Sequence, residues 1–191
     1  MHCSWCGEEL SEREVQGRSR LACPACGRVA YQQLKVGAGV LLQRQGELLL
    51  VQRAPGSDAF PGAWCLPAGY CEVDEPPAVT AVRETFEETG LQVQSGRLVD
   101  VYFFDDDPRG NGLLVVYQAD VIDKDPDLDA ARPETAGEIA AVGFFPANDL
   151  PAPLCGGGHD QAISAWRDRG TGPWQMGKPM RFCPHCTHEL Q

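Results

Sequence analysis

The segment from residue 69 to residue 91 places ionisable side chains at fixed distances from two glycines. Its defining residues are Gly69, Glu75, Arg83, Glu84, Thr85, Glu87, Glu88, Gly90 and Leu91. Glu84, Glu87 and Glu88 stand at i, i+3 and i+4, so a helix would bring all three onto one face. Like charges at these spacings repel, and a bound cation would relieve the repulsion. Carboxylate oxygens without an adjacent histidine favour Mg²⁺ or Mn²⁺ over zinc.

The sequence predicts a helix over residues 76 to 89 that carries this acidic face. Pro76 and Pro77 suit its first positions, where a missing amide proton costs nothing, and Gly90 suits the left-handed residue just after its end. The opposite face, which we expect to pack against the domain, carries Val79, Val82 and Phe86. The alternative is a solvated acidic helix face without a ligand, which is typical of most glutamate clusters.

The same segment resembles the Nudix box, whose pattern is Gly-x5-Glu-x7-Arg-Glu-U-x-Glu-Glu-x-Gly-U, with U a bulky apolar residue. Every fixed position matches, and Thr85 at the first U position is the one departure. The preceding run from Phe60 to Gly69 is also similar to the Gly-x-Trp-x-Leu-Pro-x-Gly stretch that leads into the box. The resemblance covers roughly residues 35 to 168, about two thirds of the chain.

The resemblance implies an α/β fold, the Nudix α/β/α sandwich with a mixed sheet, here preceded by a small zinc ribbon. It also implies hydrolysis of the diphosphate bond in a nucleoside diphosphate linked to another moiety. By position in the motif, Glu84, Glu87 and Glu88 would bind the catalytic Mg²⁺ or Mn²⁺, with the Gly69 carbonyl as a possible further ligand. Arg83 would orient Glu84 through an ion pair. Divalent ions at such a site offset phosphate charge and activate water.

A general base would complete this site. It is either one of the box glutamates or a later acid brought in by a loop, and Glu138, six residues before Phe144, is the candidate. The alternative for Glu138 is an ordinary surface acid that precedes a strand. The polar, glycine-rich stretch 105–112 suits a mobile connection near a site, but it is also typical of a plain hairpin loop, which we favour.

Two pairs of cysteines near the N-terminus have zinc-ribbon spacing. Cys3 and Cys6 form one Cys-x2-Cys pair, and Cys23 and Cys26 form the other, with 16 residues between the two pairs. Four thiolates on two such knuckles can bind one Zn²⁺ tetrahedrally. The competing interpretation is two disulfides. No secretory leader pattern precedes Cys3, so we expect a reducing cytoplasm, where such pairs more often bind metal.

A third pair lies in the C-terminal tail. Cys183 and Cys186, with His188 nearby, could supply three ligands to a second zinc completed by another chain or by a distant residue. The alternatives are a remnant of a duplicated half-ribbon or a pair of free thiols, and we favour these two together over a metal site. Cys65, Cys71 and Cys155 are isolated in the sequence, and we expect Cys65 and Cys71 to pack near the box loop rather than to react.

Charge and composition set further limits. The 191 residues carry a net charge of −11, yet residues 1–34 are neutral, with four arginines against four glutamates. Phosphate binding needs a basic surface, so the neutral charge of this segment argues against a nucleic-acid role for the ribbon. A packing role or a homodimer contact fits it better. No apolar run approaches about 18 residues, so we expect no membrane span.

The order of apolar runs predicts strands and helices in alternation. We divide the chain into a zinc ribbon at 1–34, a Nudix domain at 35–170 and a tail at 171–191. The predicted strands are Val36–Leu42, Leu48–Gln52, Leu98–Phe104, Leu113–Val121 and Ile139–Phe145, and a second helix is predicted at His159–Arg167. A hairpin is expected at Gln45 and Gly46.

The substrate is less constrained by the sequence. A zinc ribbon before the box resembles the NADH pyrophosphatase group, but that group's Ser-Gln-Pro-Trp-Pro-Phe-Pro-x-Ser stretch is absent from residues 92–108, which argues against NADH as the preferred substrate. The layout is more similar to the group that includes FAD pyrophosphatases, and Pro108 weakly resembles the proline of ADP-ribose pyrophosphatases. We expect an adenine dinucleotide or ADP-sugar. The alternative is a nucleotide-sensing regulator with a DNA-contacting ribbon.

Overall fold

The computed structural model describes residues 1–122 and 137–169. The backbone forms two compact units, which divide between Leu34 and Lys35. The predicted tail ligands Cys183, Cys186 and His188 lie outside the described residues. None of the helices in the described ranges is long and apolar enough to cross a membrane.

The first unit is a small antiparallel sheet with two cysteine knuckles. Its strands, in the order β1-β2-β3, are β1 (Ser11–Val15), β2 (Arg18–Ala22) and β3 (Val29–Ala30). Only Cys3, Ala22 and Cys23 are buried apolar residues in this unit. So small a core cannot offset the entropy of ordering the chain, and this fold therefore needs a metal or another crosslink.

Within its described residues, 35–122 and 137–169, the second unit contains seven strands and two helices. They are β4 (Lys35–Arg44), β5 (Glu47–Arg53), β6 (Trp64–Cys65), β7 (Ala68–Tyr70), α1 (Pro77–Thr89), β8 (Val93–Phe104), β9 (Gly112–Val121), β10 (Ile139–Pro146) and α2 (His159–Arg169). All five strands predicted in the sequence are present, and β8 begins five residues earlier than expected. The short strands β6 and β7 were not predicted. Two residues with positive φ, Gln45 at 51° and Gly46 at 87°, form the expected hairpin between β4 and β5.

The main sheet runs in the order β10-β5-β4-β9-β8, with β6 beside β5 and β7 beside β4. Strands β4 and β9 are parallel and the other pairs are antiparallel, which gives the predicted mixed sheet. Alternate side chains of each strand point to opposite faces. On one face Val40 and Leu42 pack with Ala81 of α1, and on the other Leu41 packs with Ile163 and Trp166 of α2. The predicted α/β/α sandwich is therefore confirmed.

Helix α1 lies where the sequence placed it, but the predicted packing face is only partly correct. Val82 packs against the core cluster that contains Ala81, as expected. Gly90 ends it at φ 72°, and its amide donates to the Phe86 carbonyl at 2.7 Å. Val79, expected in the core, is 52 % exposed. The buried helix residues are Thr80, Ala81, Thr85, Glu88 and Thr89.

Small side chains explain this rotation of α1, because Ala81 and Thr85 let the helix approach the sheet closely. The Thr85 hydroxyl donates to the Ala81 carbonyl at 2.7 Å, so it is buried without an unpaired polar atom. Thr85, which stands where the box pattern has a bulky apolar residue, thus suits a close contact between α1 and the sheet. It also turns Glu88 inward, towards β7.

Candidate active site and thiolate cluster

Glu88 is the most buried carboxylate of the acidic face. It lies in the last turn of α1 with 7 % exposure, and its Oε2 accepts the Ala68 amide at 3.0 Å. Burial raises the pKa of Glu88 to about 8, although the Ala68 hydrogen bond and the charge of Arg53 oppose that shift. A charged carboxylate here is unfavourable without a nearby cation. The chemistry of Glu88 therefore fits a hard divalent ion.

Arg83 connects the helix to the loop that precedes it. Its Nε and Nη2 bind both oxygens of Glu75 at 3.0 and 2.9 Å, and its Nη1 donates to Glu84 at 2.8 Å and to Glu87 at 3.0 Å. Its Nη2 also reaches the Tyr70 carbonyl at 3.4 Å. These hydrogen bonds from Arg83 are the main reason why the pKa of Glu75 falls to about 2. The expected Arg83–Glu84 ion pair is thus present, within a larger network.

Gly69 leaves the space that the Glu84 carboxylate occupies. A Cβ atom at position 69 would overlap with the carboxylate carbon and both oxygens of Glu84. Burial raises the pKa of Glu84, and the hydrogen bond from Arg83 opposes that shift. A side chain at position 69 would therefore displace the Glu84 carboxylate.

The three glutamates share one helix end but do not converge as the thiols do. In residues 1–122 and 137–169, the four N-terminal cysteines are the only group with three or more candidate ligand atoms all within 4.8 Å of one another. Glu84 and Glu87 instead bind Arg83, and Glu88 binds the Ala68 amide. A metal at this site would therefore share these carboxylates with Arg83.

Glu138 is exposed in the turn before β10. Its carbonyl accepts the Ala54 amide at 2.7 Å, which fixes the turn against the end of β5. Its negative charge contributes to the raised pKa of Glu88, so the two carboxylates lie within electrostatic range. The fold thus brings together two acids that are 50 positions apart in the chain.

A cleft with about 80 Å³ of internal space, open to solvent, borders Gly69 and the start of α2. The 105–112 loop is the hairpin connection that we favoured, yet it also lines this cleft. Asp107 is buried and binds Arg109 through hydrogen bonds of 2.7 and 2.9 Å. The Tyr70 hydroxyl donates to Asp107 at 3.4 Å.

Two further lining residues carried no sequence signal. Arg53, at the end of β5, donates from Nε to the Ala59 carbonyl at 2.8 Å and makes no ion pair within the described residues. His159 begins α2, and its buried Nδ1 has no hydrogen-bond partner in the described part of the chain. Burial lowers the pKa of His159 to about 4, and the charges of Arg53 and Arg109 act in the same direction. The sequence placed these residues on unrelated segments.

Cys65 is buried, as expected, but it is not isolated. A parallel bridge joins Trp64 to Leu154, and the Cys155 amide donates to the Trp64 carbonyl at 2.8 Å. The nearby Cys155 thiol and burial both raise the pKa of Cys65. Neither thiol is in a disulfide. Cys65 and Cys155 both lie in the buried apolar cluster that also contains Val51, Ala63 and Ile139.

The thiols of the N-terminal unit form a tight cluster. The Sγ atoms of Cys3 and Cys26 are 3.7 Å apart, those of Cys6 and Cys23 are 3.4 Å apart, and all four cysteines are free. Backbone amides of Cys6 and Trp5 lower the pKa of Cys3 to about 6. Zn–S bonds of about 2.3 Å in a tetrahedron place sulfurs about 3.8 Å apart, so this set of donors fits zinc.

Two family models match consecutive parts of the chain. The Nudix N-terminal model, a zinc ribbon, matches residues 1–32, and the NUDIX domain model matches residues 33–166. Among solved structures, a NUDIX hydrolase from Nitrosomonas europaea superposes with a TM-score of 0.66 and 28 % identity, over 88 % of this chain and 91 % of that one.

Two curated relatives are similar in sequence. An ADP-ribose pyrophosphatase of Methanocaldococcus jannaschii is 33 % identical over 122 residues, which are 63 % of this chain and 67 % of that protein. The NAD-capped RNA hydrolase NudC of Chromobacterium violaceum is 33 % identical over 150 residues, 78 % of this chain but only 51 % of the relative's length. Because the NUDIX domain model matches residues 33–166, which are most of this chain, the chain belongs to the NUDIX family.

Proposed function

We propose that the chain is a metal-dependent pyrophosphohydrolase that cleaves the diphosphate of a nucleoside diphosphate linked to another moiety. The observation that carries this proposal is the buried Glu88 at a helix end shared with Glu84 and Glu87, beside Gly69 and an open cleft. Mg²⁺ or Mn²⁺ bound by these carboxylates, with the Gly69 carbonyl as a further candidate ligand, would neutralise the phosphates and acidify a water molecule.

The residues of the chain have distinct roles in this proposal. Arg83 holds Glu84 and Glu87 in position through hydrogen bonds from Nη1. Glu138 accepts a proton from the attacking water, since it is exposed and within electrostatic range of Glu88. The water oxygen bonds to one phosphorus, the bond from that phosphorus to the bridging oxygen breaks, and the bridging oxygen leaves on the other phosphate.

An adenine dinucleotide or an ADP-sugar is the proposed substrate, with FAD, ADP-ribose and NADH as candidates. Similarity to an ADP-ribose pyrophosphatase and to a NAD-capped RNA hydrolase supports this class. The test is a panel of FAD, NADH, ADP-ribose, diadenosine polyphosphates and nucleoside triphosphates with Mg²⁺. Product masses identify the bond that is cut. Cleavage of nucleoside triphosphates alone would contradict the proposed substrate class.

The regulator alternative is not supported. The box is intact, its relatives are hydrolases, and residues 1–34 carry no net charge with which to bind DNA. Stoichiometric binding of ADP-ribose without any hydrolysis at saturating Mg²⁺ would restore that alternative.

We further propose that Cys3, Cys6, Cys23 and Cys26 bind one structural Zn²⁺. Soft thiolates prefer zinc and hard carboxylates prefer Mg²⁺ or Mn²⁺, so the chain would sort two metals between its two units. Four thiolates persist best in a reducing compartment, which is consistent with the predicted cytoplasmic location. A homodimer stays a prediction.

A further inference from the structure

His159 lines the cleft and carries an unusual polar atom. Its Nδ1 is buried and has no hydrogen-bond partner within residues 1–122 and 137–169. Buried polar atoms in folded proteins are nearly always paired, so an unpaired one requires an explanation. With a pKa of about 4, the imidazole is neutral near pH 7. A neutral imidazole can donate through one nitrogen and accept through the other, which suits an uncharged polar partner such as a hydroxyl.

The charges near His159 largely cancel. Asp107 is 3 % exposed at its side chain and binds Arg109 through two hydrogen bonds, so this buried pair contributes little net charge. Arg53, the other charged lining residue, attracts Glu88. Arg53 makes no ion pair within the described residues, so it is the lining cation that a phosphate would meet. Beside the paired Asp107 and Arg109, the cleft favours a neutral polar group.

The Tyr70 ring of the cleft is already covered by cations. The guanidinium of Arg109 lies over the Tyr70 ring at 5.0 Å from its centroid, and the ammonium of Lys35 lies over the same ring at 5.1 Å. A nucleobase would have to displace these cations to stack on Tyr70. Apolar Phe104 and Leu114 complete the wall, and they suit the C–H surface of a sugar.

Glycines make room for the ligand and connect it to the box. Gly69 lines the cleft and also contacts Glu84, so a group attached to the phosphate at the box enters the cleft directly. A Cβ atom at Gly157 would lie 3.7 Å from Phe60 and 3.9 Å from both Asp107 and His159, which would narrow the cleft.

We propose, resting on the proposed function, that this cleft binds the sugar of the moiety linked to the nucleoside diphosphate, and that His159 determines specificity by hydrogen bonding to a hydroxyl of that sugar. Arg109, fixed by Asp107, supplies further N–H donors to the same sugar. The cleft thereby selects sugar-linked diphosphates over those that carry a plain alkyl group.

The test compares two substrates in three proteins. ADP-ribose carries the sugar, and ADP esterified with propanol at its terminal phosphate lacks every distal hydroxyl. The proteins are the parent, His159→Phe, which keeps a ring but removes hydrogen bonding, and His159→Gln, which retains it. Gln161→Leu is the matched control, because Gln161 lies in the same helical turn but is exposed and does not line the cleft.

We expect His159→Phe to raise KM for ADP-ribose about tenfold or more, and to change kcat/KM for the propyl ester by less than about twofold. His159→Gln should recover part of the loss, and Gln161→Leu should resemble the parent. Calorimetric titration with the α,β-methylene analogue of ADP-ribose should show the same order of affinities without turnover. Melting temperatures establish that each variant is folded.

An equal loss for both substrates, or no loss for either, would overturn the assignment of His159. If the parent cleaves neither ester, the proposed function fails, and the titration with the methylene analogue still decides the role of His159. Equal affinity of parent and His159→Phe for that analogue would refute the inference, whatever the catalytic result.

Discussion

The two candidate metal centres of this chain are built in opposite ways. In the N-terminal unit, four cysteines on two short knuckles bring their sulfurs together with hardly any core around them. In the Nudix domain, the carboxylates stand on one helix of a fully packed sandwich, and an arginine and a backbone amide hold them. The thiol centre would stabilise a unit that has almost no hydrophobic core. The carboxylate centre is positioned by the packed core of its domain.

This difference separates stability from catalysis. Loss of metal from the thiolate cluster should unfold its own unit, because little else stabilises it. Loss of metal from the carboxylates should leave the sandwich folded and even relieve it of buried charge when Glu88 becomes protonated. The following predictions test that contrast, in order of decreasing expected effect.

Glu87→Gln should produce the largest change. It removes one charged ligand but leaves Arg83 bound to Glu75 and Glu84, so the fold should survive while kcat falls by about 10² or more. Glu47→Gln, at the far end of β5, is the matched control and should keep the activity of the parent. Steady-state kinetics with Mg²⁺ checks both. Turnover within about twofold of the parent for Glu87→Gln would remove it from the metal site.

Gly69→Ala should reduce activity by about tenfold or more without unfolding the domain. The new methyl group would overlap with the Glu84 carboxylate and displace it from the site. Gly56→Ala is the control, because no atom lies within 4 Å of a Cβ at that position and its φ is not left-handed. Equal activity of the two variants would show that the position of Glu84 is not critical.

Cys23→Ser should affect stability far more than chemistry. We expect loss of bound zinc and rapid proteolysis within residues 1–34, with kcat of the surviving folded domain within about twofold of the parent. Cys71→Ser, outside the cluster, should retain zinc. Metal analysis should give one zinc per chain, both in the intact protein and in a version ending at Met180. A second zinc in the intact protein alone would assign a site to Cys183, Cys186 and His188.

The smallest expected effect is a shift in thermal stability with pH. Without bound metal, Glu88 has a folded pKa of about 8, above the ordinary 4.5, so the unfolded chain binds fewer protons between these values. Its contribution to stability is therefore fully present below about pH 4.5 and is lost as pH rises towards about 8. Glu88→Gln should flatten this profile and raise the melting temperature at pH 8 in chelator. Parallel melting profiles for parent and variant would refute it.

Local pattern determined a large part of this molecule. Zinc-ribbon spacing predicts the thiol cluster because each knuckle is a short turn, and the two knuckles meet through the Cys3–Cys26 and Cys6–Cys23 contacts. Helix α1 and its end at Gly90 follow from proline and glycine at its two ends. The strands follow from apolar runs, and the resemblance to the Nudix box predicts their mixed sheet.

Long-range packing determined the features of the site that residue spacing does not predict. The packing face of α1 was predicted correctly at Val82 but wrongly at Val79, because closeness to the sheet favours Ala81 and Thr85 over a larger side chain. The raised pKa of Glu88 depends on burial, which periodicity does not reveal. The cleft joins the end of β7, the 105–112 hairpin and the first residue of α2, so His159 becomes a candidate only after folding. The sequence by itself determined which residues could bind metal, and only long-range packing decided what lies beside them.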